Sequence, residues 1–433
     1  MLRRFKPGVM VAIAALLLSG CSQGMTSSGT AAGSAGMPST QSLTHYSGVP
    51  QTASKKDGRI SYHRACGEES RPRYARCLAL VRDDAGGVGR DIRGTIQGIE
   101  PAQFQAAYNI NTAGGAGQVV ALVDAFDNPN AANDLAVYRA QWGLPACGSG
   151  CFTKVNQLGQ TYNYPSPDSG WGVEEDLDIE MVSATCPNCK IILVEANSSY
   201  FSDLGAAVVE AAALGATVIS NSYQGGEFQG EDDDTPYQQA VPVLASAGDD
   251  GYGTGYPAAS QYVISVGGTS LYQGGGGSRG WTERVWSGSG SGCTQYAAKP
   301  SWQTDSGCKN RTMNDIAWDA DPNTGPAEYD SYGEGGWFTV GGTSVSSPAV
   351  AGEIAAASTN GLTNAGFIYA NYSYHPPVHV VRGGSNERTA QQTNMTDIKI
   401  GGNGGCNPSY LCQAGPGYDG PSGVGTPYGM GAI

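Results

Sequence analysis

From Gly98 onward the chain carries short, nearly unbroken apolar runs: 118–124 (QVVALVD), 190–196 (KIILVEA), the TVIS stretch within 216–221, 241–246 (VPVLAS) and 262–267 (YVISVG). A run that is apolar without alternation suits a strand covered on both faces, since alternating positions must both be buried. Between the runs lie longer stretches with helical spacing, near 130–141, 173–185, 203–214 and 345–358. Strands alternating with helices predict an α/β fold with a mostly parallel central sheet and helices on both faces. In such a sheet functional groups gather at the carboxyl ends of the strands. No internal repeat is visible.

The N-terminus reads differently. Arg3, Arg4 and Lys6 precede an apolar run from Val9 to Leu18 and then Ser19-Gly20-Cys21. A basic start, a short apolar stretch and small residues make residues 1–20 a signal peptide, and the LSGC ending resembles a bacterial lipobox with Cys21 as the lipidated mature terminus. The apolar stretch falls short of the ~20 residues a bilayer span needs. The expected location is extracytoplasmic, with Cys21 as the membrane contact, on a bacterial membrane or cell surface. Residues 21–57, rich in Ser, Gly, Thr and Ala, have the composition of a flexible tether. Residues 58–97 hold Arg59, Arg64, Arg71, Arg73, Arg76, Arg82, Arg90 and Arg93. This short basic segment is expected to be a packing extension or a small mask, a reduced prosegment. The main domain is 98–433.

Composition narrows the class further. The 433 residues include 65 Gly and 23 Tyr against 8 Phe, with 14% charged residues, which describes a loop-rich globular protein. Net charge is -14, and losing Arg3, Arg4 and Lys6 with the signal takes it to -17. So acidic a surface excludes a nucleic-acid partner. Besides Cys21 there are ten cysteines, falling as sequential neighbours: 66/77, 147/151, 186/189, 293/308 and 406/412. In an exported chain five local disulfides is the natural reading. A redox or metal role for Cys186-Pro-Asn-Cys189 lacks a second such pair and a nearby histidine.

The chemistry centres on Gly341-Gly342-Thr343-Ser344-Val345-Ser346-Ser347-Pro348, followed by the small-residue helical stretch AVAGEIAAAS. Pro348 suits the first turn of that helix. A serine at a helix N-terminus gains the dipole and free backbone N–H groups that help bind an oxyanion. The motif is shared by subtilisins and sedolisins, and the general base separates them. Histidines occur only at 45, 63, 375 and 379, so residues 64–374 hold none, and a Ser-His-Asp triad on this layout is excluded. Asp124, where a subtilisin places its aspartate, is then expected to be a structural turn residue. An acidic base is offered by Trp171-Gly-Val-Glu174-Glu175-Asp176-Leu177-Asp178-Ile179-Glu180. On a helix Glu174 and Asp178 share a face and repel by roughly 0.2–0.5 kcal/mol unless they share a proton. The apolar residues Ile179, Met181 and Val182 are expected to bury one side of that helix. Asp249 in Ser246-Ala-Gly-Asp249-Asp250-Gly follows the strand VPVLAS. An aspartate donates to an oxyanion only when protonated, so Asp249 calls for acid conditions, which also suit a carboxylate base. At that pH Asp249 is expected to be protonated while Glu174 is not.

These motifs resemble those of the sedolisins, serine-carboxyl peptidases with a subtilisin-like fold, over residues 98–433. The resemblance implies a Ser-Glu-Asp triad of Ser344, Glu174 and Asp178, with Asp249 in the oxyanion hole. It leaves open which of Asp249 and Asp250 faces the oxyanion, because Asp250 stands where a Ser is commoner. It also implies a calcium ion near the C-terminus, held by Asp397 and Ile398 with Gly415, Gly417 and Asp419, a hard-oxygen set suited to that ion. Substrate contacts are expected at Ser222 and Tyr223, beside an extended protein or peptide substrate added as a strand, with Tyr223 bordering the P1 pocket. The implied enzyme is a monomeric, secreted, acid-acting serine endopeptidase. The alternative is a catalytically inactive surface binding protein on a peptidase scaffold. A subtilisin in which His375 or His379 reaches Ser344 is a more distant one. Gly276-Gly277-Ser278-Arg279-Gly280 matches a hydrolase nucleophile pattern but lacks the strand-turn-helix context.

Overall fold

A computed structural model describes residues 53–54, 61–83, 96–233, 235–275, 279–358, 363–374 and 395–429. The chain divides into two units, 1–47 and 48–433, and the first lies outside the described residues, with the expected signal peptide, Cys21 and most of the tether. His375, His379 and Gly276–Ser278 also fall outside them. No helix among the described residues is long and apolar enough to cross a membrane.

The strands in chain order are β1 (Ala53–Ser54), β2 (Ser61–Arg64), β3 (Arg76–Cys77), β4 (Leu80–Arg82), β5 (Val119–Ala125), β6 (Phe152–Asn156), β7 (Lys190–Ala196) and β8 (Val218–Asn221). They continue with β9 (Tyr223–Gln224), β10 (Val243–Ser246), β11 (Ile264–Gln273), β12 (Trp281–Val285), β13 (Gly292–Cys293), β14 (Thr312–Met313), β15 (Ile316–Asp319), β16 (Ala327–Asp330) and β17 (Gly336–Gly341). The five apolar runs become β5, β7, β8, β10 and β11. They build an eight-stranded sheet in the order β12-β11-β10-β8-β5-β7-β6, with β15 also paired to β11. All its pairings are parallel except β11 with β12. The fold is the expected subtilisin-like α/β architecture, with helices on both faces.

Strand alternation sorts the core into two layers. Val120 and Leu122 of β5 point to the layer holding α3 (Ser169–Thr185) and α5 (Thr343–Ala357), while Ala121, Val123 and Ala125 point to α4 (Phe201–Ala213). Asp124 shares the parity of Val120 and Leu122, so its carboxyl is delivered toward α3 and α5. It is fully buried inside a strand. The expected turn role is thereby corrected.

Two helix boundaries carry information. The Asp168 carboxylate caps α3 by accepting from the amides of Gly170 and Trp171 at 3.0 Å each, so the helix starts at 169 rather than 173. Every residue from Trp171 to Thr185 is buried: the side of Ile179, Met181 and Val182 is covered as expected, and the acidic side is roofed by other elements as well. α5 starts at Thr343 because Gly342 adopts φ 102°, which turns the chain sharply. Pro348 therefore sits in the second turn and not the first, and it has no N–H for the Ser344 carbonyl.

All five cysteine pairs join sequential neighbours as expected: 66–77, 147–151, 186–189, 293–308 and 406–412. β2 and β4 are not peripheral. They extend an antiparallel sheet, β1-β2-β4-β17-β16, whose β17 leads directly into Gly342 and Ser344.

The closest helix crossing is between α3 and α5. A β-carbon on Gly352 would lie 2.0 Å from Thr185 Oγ1 and 3.5 Å from the Val182 Cα. Gly352→Ala is expected to lower unfolding free energy by about 1–3 kcal/mol, an overpacking cost. Gly226→Ala, where a β-carbon meets nothing within 4 Å, should stay within about 0.5 kcal/mol. Urea denaturation of both variants checks this.

Candidate active site

The hydroxyls around the nucleophile motif have different fates. Thr343 Oγ1 accepts from the Gly248 amide at 3.0 Å and donates to Asp249 Oδ1 at 2.9 Å. Ser346 bonds to the Trp318 and Asp319 carbonyls, and Ser347 to Ser220 at 2.8 Å. Those three are spent on packing the helix start. Ser344 alone is held loosely, its Oγ donating at 3.4 Å to the Ser222 carbonyl, and it lies near enough to Glu174 for the hydroxyl to favour that carboxylate.

Glu174 and Asp178 stand one turn apart on α3, and Asp124 faces both from β5. All three are fully buried. Glu174 Oε2 accepts the amides of Leu78 (2.8 Å) and Ala79 (2.7 Å), and Asp178 Oδ1 accepts Ser222 Oγ (2.7 Å). Asp124 receives no hydrogen bond at either oxygen, nor do Glu174 Oε1 and Asp178 Oδ2. Burial pushes Asp124 up to about 8, and burial together with the neighbouring carboxyls pushes Glu174 and Asp178 well above the usual carboxylate range. Three carboxyls in one dry pocket do not all ionise. Of the three, Glu174 accepts two amides, Asp178 one hydroxyl and Asp124 nothing, so the donors favour a negative charge on Glu174 over the other two. The expectation that Glu174 ionises readily in acid is therefore corrected for the covered site, whose burial raises it. Asp124, expected to be a turn residue, lies instead inside β5, and its signal in the sequence was the strand parity that aims it at α3. The Leu78 and Ala79 amides had no such signal, being backbone.

Asp249, from the loop after β10, is buried beside Gly342. Its Oδ1 accepts the Thr343 amide (2.8 Å) and hydroxyl, while Oδ2 has no partner. A β-carbon on residue 342 would lie 2.8 Å from that oxygen, so glycine is needed there. Burial pushes Asp249 up to about 6, against the opposing pull of Arg64. Asp250 is largely exposed and turned away, bridging Arg64 Nη2 (2.5 Å) and Arg76. The free carboxyl oxygen beside Ser344 is thus that of Asp249.

The remaining expected residues are placed as follows. The Ser222 hydroxyl faces Asp178 rather than a substrate, because a buried hydroxyl must be satisfied. The Tyr223 ring is buried with its hydroxyl on Asn221 Oδ1 (2.7 Å) and Tyr237 (3.0 Å), and its backbone pairs with Cys77. Near the C-terminus, Asp397 accepts the Gly417 amide at 3.2 Å, and Asp419 accepts those of Gly415 (3.1 Å) and Ser422 (3.0 Å). Burial chiefly, aided by the Asp397 charge, pushes Asp419 up to about 7. Ile398 is buried next to them. Further along α3, Asp176 meets Asp134 and Asp330, with carboxyl oxygens within 4.8 Å of one another.

Residues 161–367 match a profile described as the Subtilase family. Kumamolisin of Bacillus sp. (strain MN-32) is 29% identical over 359 residues, covering 73% of this chain and 59% of that protein. Sedolisin of Pseudomonas sp. (strain 101) is 28% identical over 380 residues, covering 77% and 60%. The chain spans about three fifths of the length of these curated relatives. Among solved structures, Pseudomonas sedolisin (serine-carboxyl proteinase) complexed with two molecules of pseudo-iodotyrostatin superposes with a TM-score of 0.62 at 26% identity, over 77% of this chain and 96% of that one.

The site's electrostatics make a prediction about stability. Carboxyls raised in the native state bind more protons than the unfolded chain does once pH exceeds ~4. Stability is therefore greatest below the unfolded values and falls as pH climbs through the native ones. Asp249 (about 6), Asp419 (about 7), and Asp124, Glu195 and Glu353 (about 8 each) set the window at roughly pH 4–8. Thermal melts are expected to show Tm higher at pH 4 than at pH 8 by at least about 5 °C.

Proposed function

The chain is a relative of the sedolisins on a subtilisin-like fold, and from that premise we propose that it is a serine-carboxyl endopeptidase that hydrolyses protein and peptide substrates in acid. One observation carries the reading. The loosely held hydroxyl of Ser344 favours the Glu174 carboxylate, Asp178 stands one helical turn from Glu174, and Thr343 next to the serine holds Asp249, whose second oxygen has no partner. Among the described residues the sole histidine, His63, is bonded to Asp83 at 2.6 Å and to Glu334, away from this work.

In the mechanism, Glu174 takes the Ser344 proton as Oγ attacks the peptide carbonyl. Asp178 and Asp124 share the proton load behind it, so a single negative charge serves three carboxyls. The oxygen that becomes anionic is met by protonated Asp249 Oδ2, held in place through Oδ1 by Thr343. The proton on Glu174 then passes to the leaving amine, and the acyl-enzyme is hydrolysed by the reverse sequence. An aspartate near 6 can donate only while protonated, so activity is lost as pH rises through that value.

Asp397 and Asp419, with the backbone of Ile398, Gly415 and Gly417, fit a calcium ion. Burial chiefly, and the Asp397 charge least, raises Asp419, and a hard dication would neutralise these carboxylates, of which Asp397 meets one cation among the described residues, the half-exposed Lys399. The ion would supply that neutralising charge and fix the C-terminal loops. Five disulfides fit export to an oxidising compartment. The signal peptide, the lipid anchor at Cys21 and a monomeric state complete the reading.

Hydrolysis of a denatured protein should peak below pH 6 and fall through a limb near that value. Ser344→Ala should abolish it, and Asp249→Ala should lower kcat by about 10²–10³-fold. A peak at neutrality, or full activity in Glu174→Gln, overturns the mechanism. Chelation should lower Tm by a few degrees in wild type and leave Asp419→Asn unchanged; equal melts with and without chelator in wild type remove the calcium site.

A further inference from the structure

One buried cluster takes no part in the proposed chemistry. Successive residues of a helix turn by about 100°, so Asp176 and Glu180 lie on the side of α3 away from Glu174 and Asp178. There they face Asp134 of α2 (Ala131–Gln141) and, from β16, Glu328 and Asp330, which share one face of that strand two positions apart. All five side chains are buried. The charged neighbours of Asp176 are Asp330 and Asp134, those of Glu180 are Asp176, Asp134 and Asp330, and the strongest of Glu328 are Glu180, Asp176 and Asp330. Among the described residues the ion pairs of lysine and arginine all go to other carboxylates.

Three of the five converge. One carboxyl oxygen each from Asp134, Asp176 and Asp330 lies within 4.8 Å of the other two. Protein donors fix all three in place. Asp134 accepts the Ser331 amide (2.9 Å) and hydroxyl (2.8 Å), Asp330 accepts the amides of Gly333 (2.5 Å) and Glu334 (2.6 Å), and Asp176 Oδ2 accepts Asn128 Nδ2 (2.8 Å). Asp176 Oδ1 has no hydrogen-bond partner, and neither has either oxygen of Glu328, a side chain 1% exposed that is turned into the cluster. Carboxyl oxygens taken out of water without donors are costly, and a cation among them offsets that cost.

We infer that Asp134, Asp176 and Asp330 form a buried calcium site, separate from the C-terminal loops, that fastens α2, β16 and the far side of α3 to one another. Calcium–oxygen distances of ~2.3–2.6 Å put ligands on opposite sides of one ion about 5 Å apart, which three oxygens within 4.8 Å satisfy. Magnesium keeps several waters, a poor match to donors enclosed by protein, and the cluster offers no thiol or imidazole to zinc. The ion holds α3 from behind, on the side opposite Glu174 and Asp178. Because its donors are enclosed, it leaves only when the chain opens, so a chelator acting on the folded protein does not strip it. Nothing in this inference depends on the peptidase reading.

The test uses the full chain, expressed in calcium-supplemented medium, treated with chelator and desalted while folded. Calcium is then counted by atomic emission after denaturation. The parents are wild type and Asp419→Asn, which removes a carboxylate of the C-terminal loops. Each is compared with its Asp134→Asn/Asp176→Asn derivative, whose amide oxygens still accept from Ser331 and Asn128. The expected result is about one calcium per chain retained by Asp419→Asn, and about one fewer in each derivative than in its parent. No retained calcium in Asp419→Asn, or equal content in parent and derivative, overturns the site. Calcium lost through Asp419→Asn alone overturns it too, by confining the ion to the C-terminal loops. Should the double substitution prevent folding, Asp176→Asn by itself is read against the same parents, and the same difference decides.

Discussion

Gly352 lets α5 lie against Thr185 and Val182 of α3, and the spatial logic of the site follows from that close crossing. α3 carries Glu174 and Asp178, and α5 begins at Ser344; neither helix alone makes a reactive pair. With no side chain at 352 the two axes approach until the acidic face of α3 meets the first turn of α5. Gly342 plays the same part for the chain direction, since its positive φ lets β17 turn straight into the helix. Small residues here hold catalytic geometry by what they leave out.

The second constraint is charge. α3 is acidic and fully buried, so most of its carboxyls lack a counter-cation and must be neutral or share one charge. Lys154 answers Asp127 and Glu195, and Arg311 answers Asp315, but Asp124, Glu174 and Asp178 have no basic partner at hydrogen-bond distance. Protons take the place of cations, and the burial that raises these carboxyls is what holds them there. The same burial that raises Asp249 to about 6 makes the native state bind protons, so on the proposed mechanism its catalytic pH and the stability optimum share one cause.

The basic N-terminal segment belongs to this picture. Its arginines reach Asp250, and its backbone reaches Glu174 through Leu78 and Ala79. A desolvated Glu174 is partly a consequence of that cover.

The sequence by itself determined the sheet strands, the four long helices, the disulfide partners by proximity and the Ser344, Glu174, Asp178 and Asp249 set, because each rests on local periodicity or short motifs. The lack of histidine between 64 and 374 was equally legible, and it removed the commoner triad. Tertiary structure alone decided the rest. Asp124 looked like a turn residue until its strand was seen to aim it at α3. That the acidic side of α3 is roofed as well as its apolar side could not be read from the sequence, since burial depends on distant elements such as β16. Ser222 was offered as a substrate contact, but a buried hydroxyl takes the nearest acceptor, and that is Asp178. The two amides on Glu174 left no trace in residue type, because backbone groups are the same at every position and only the fold says where they point.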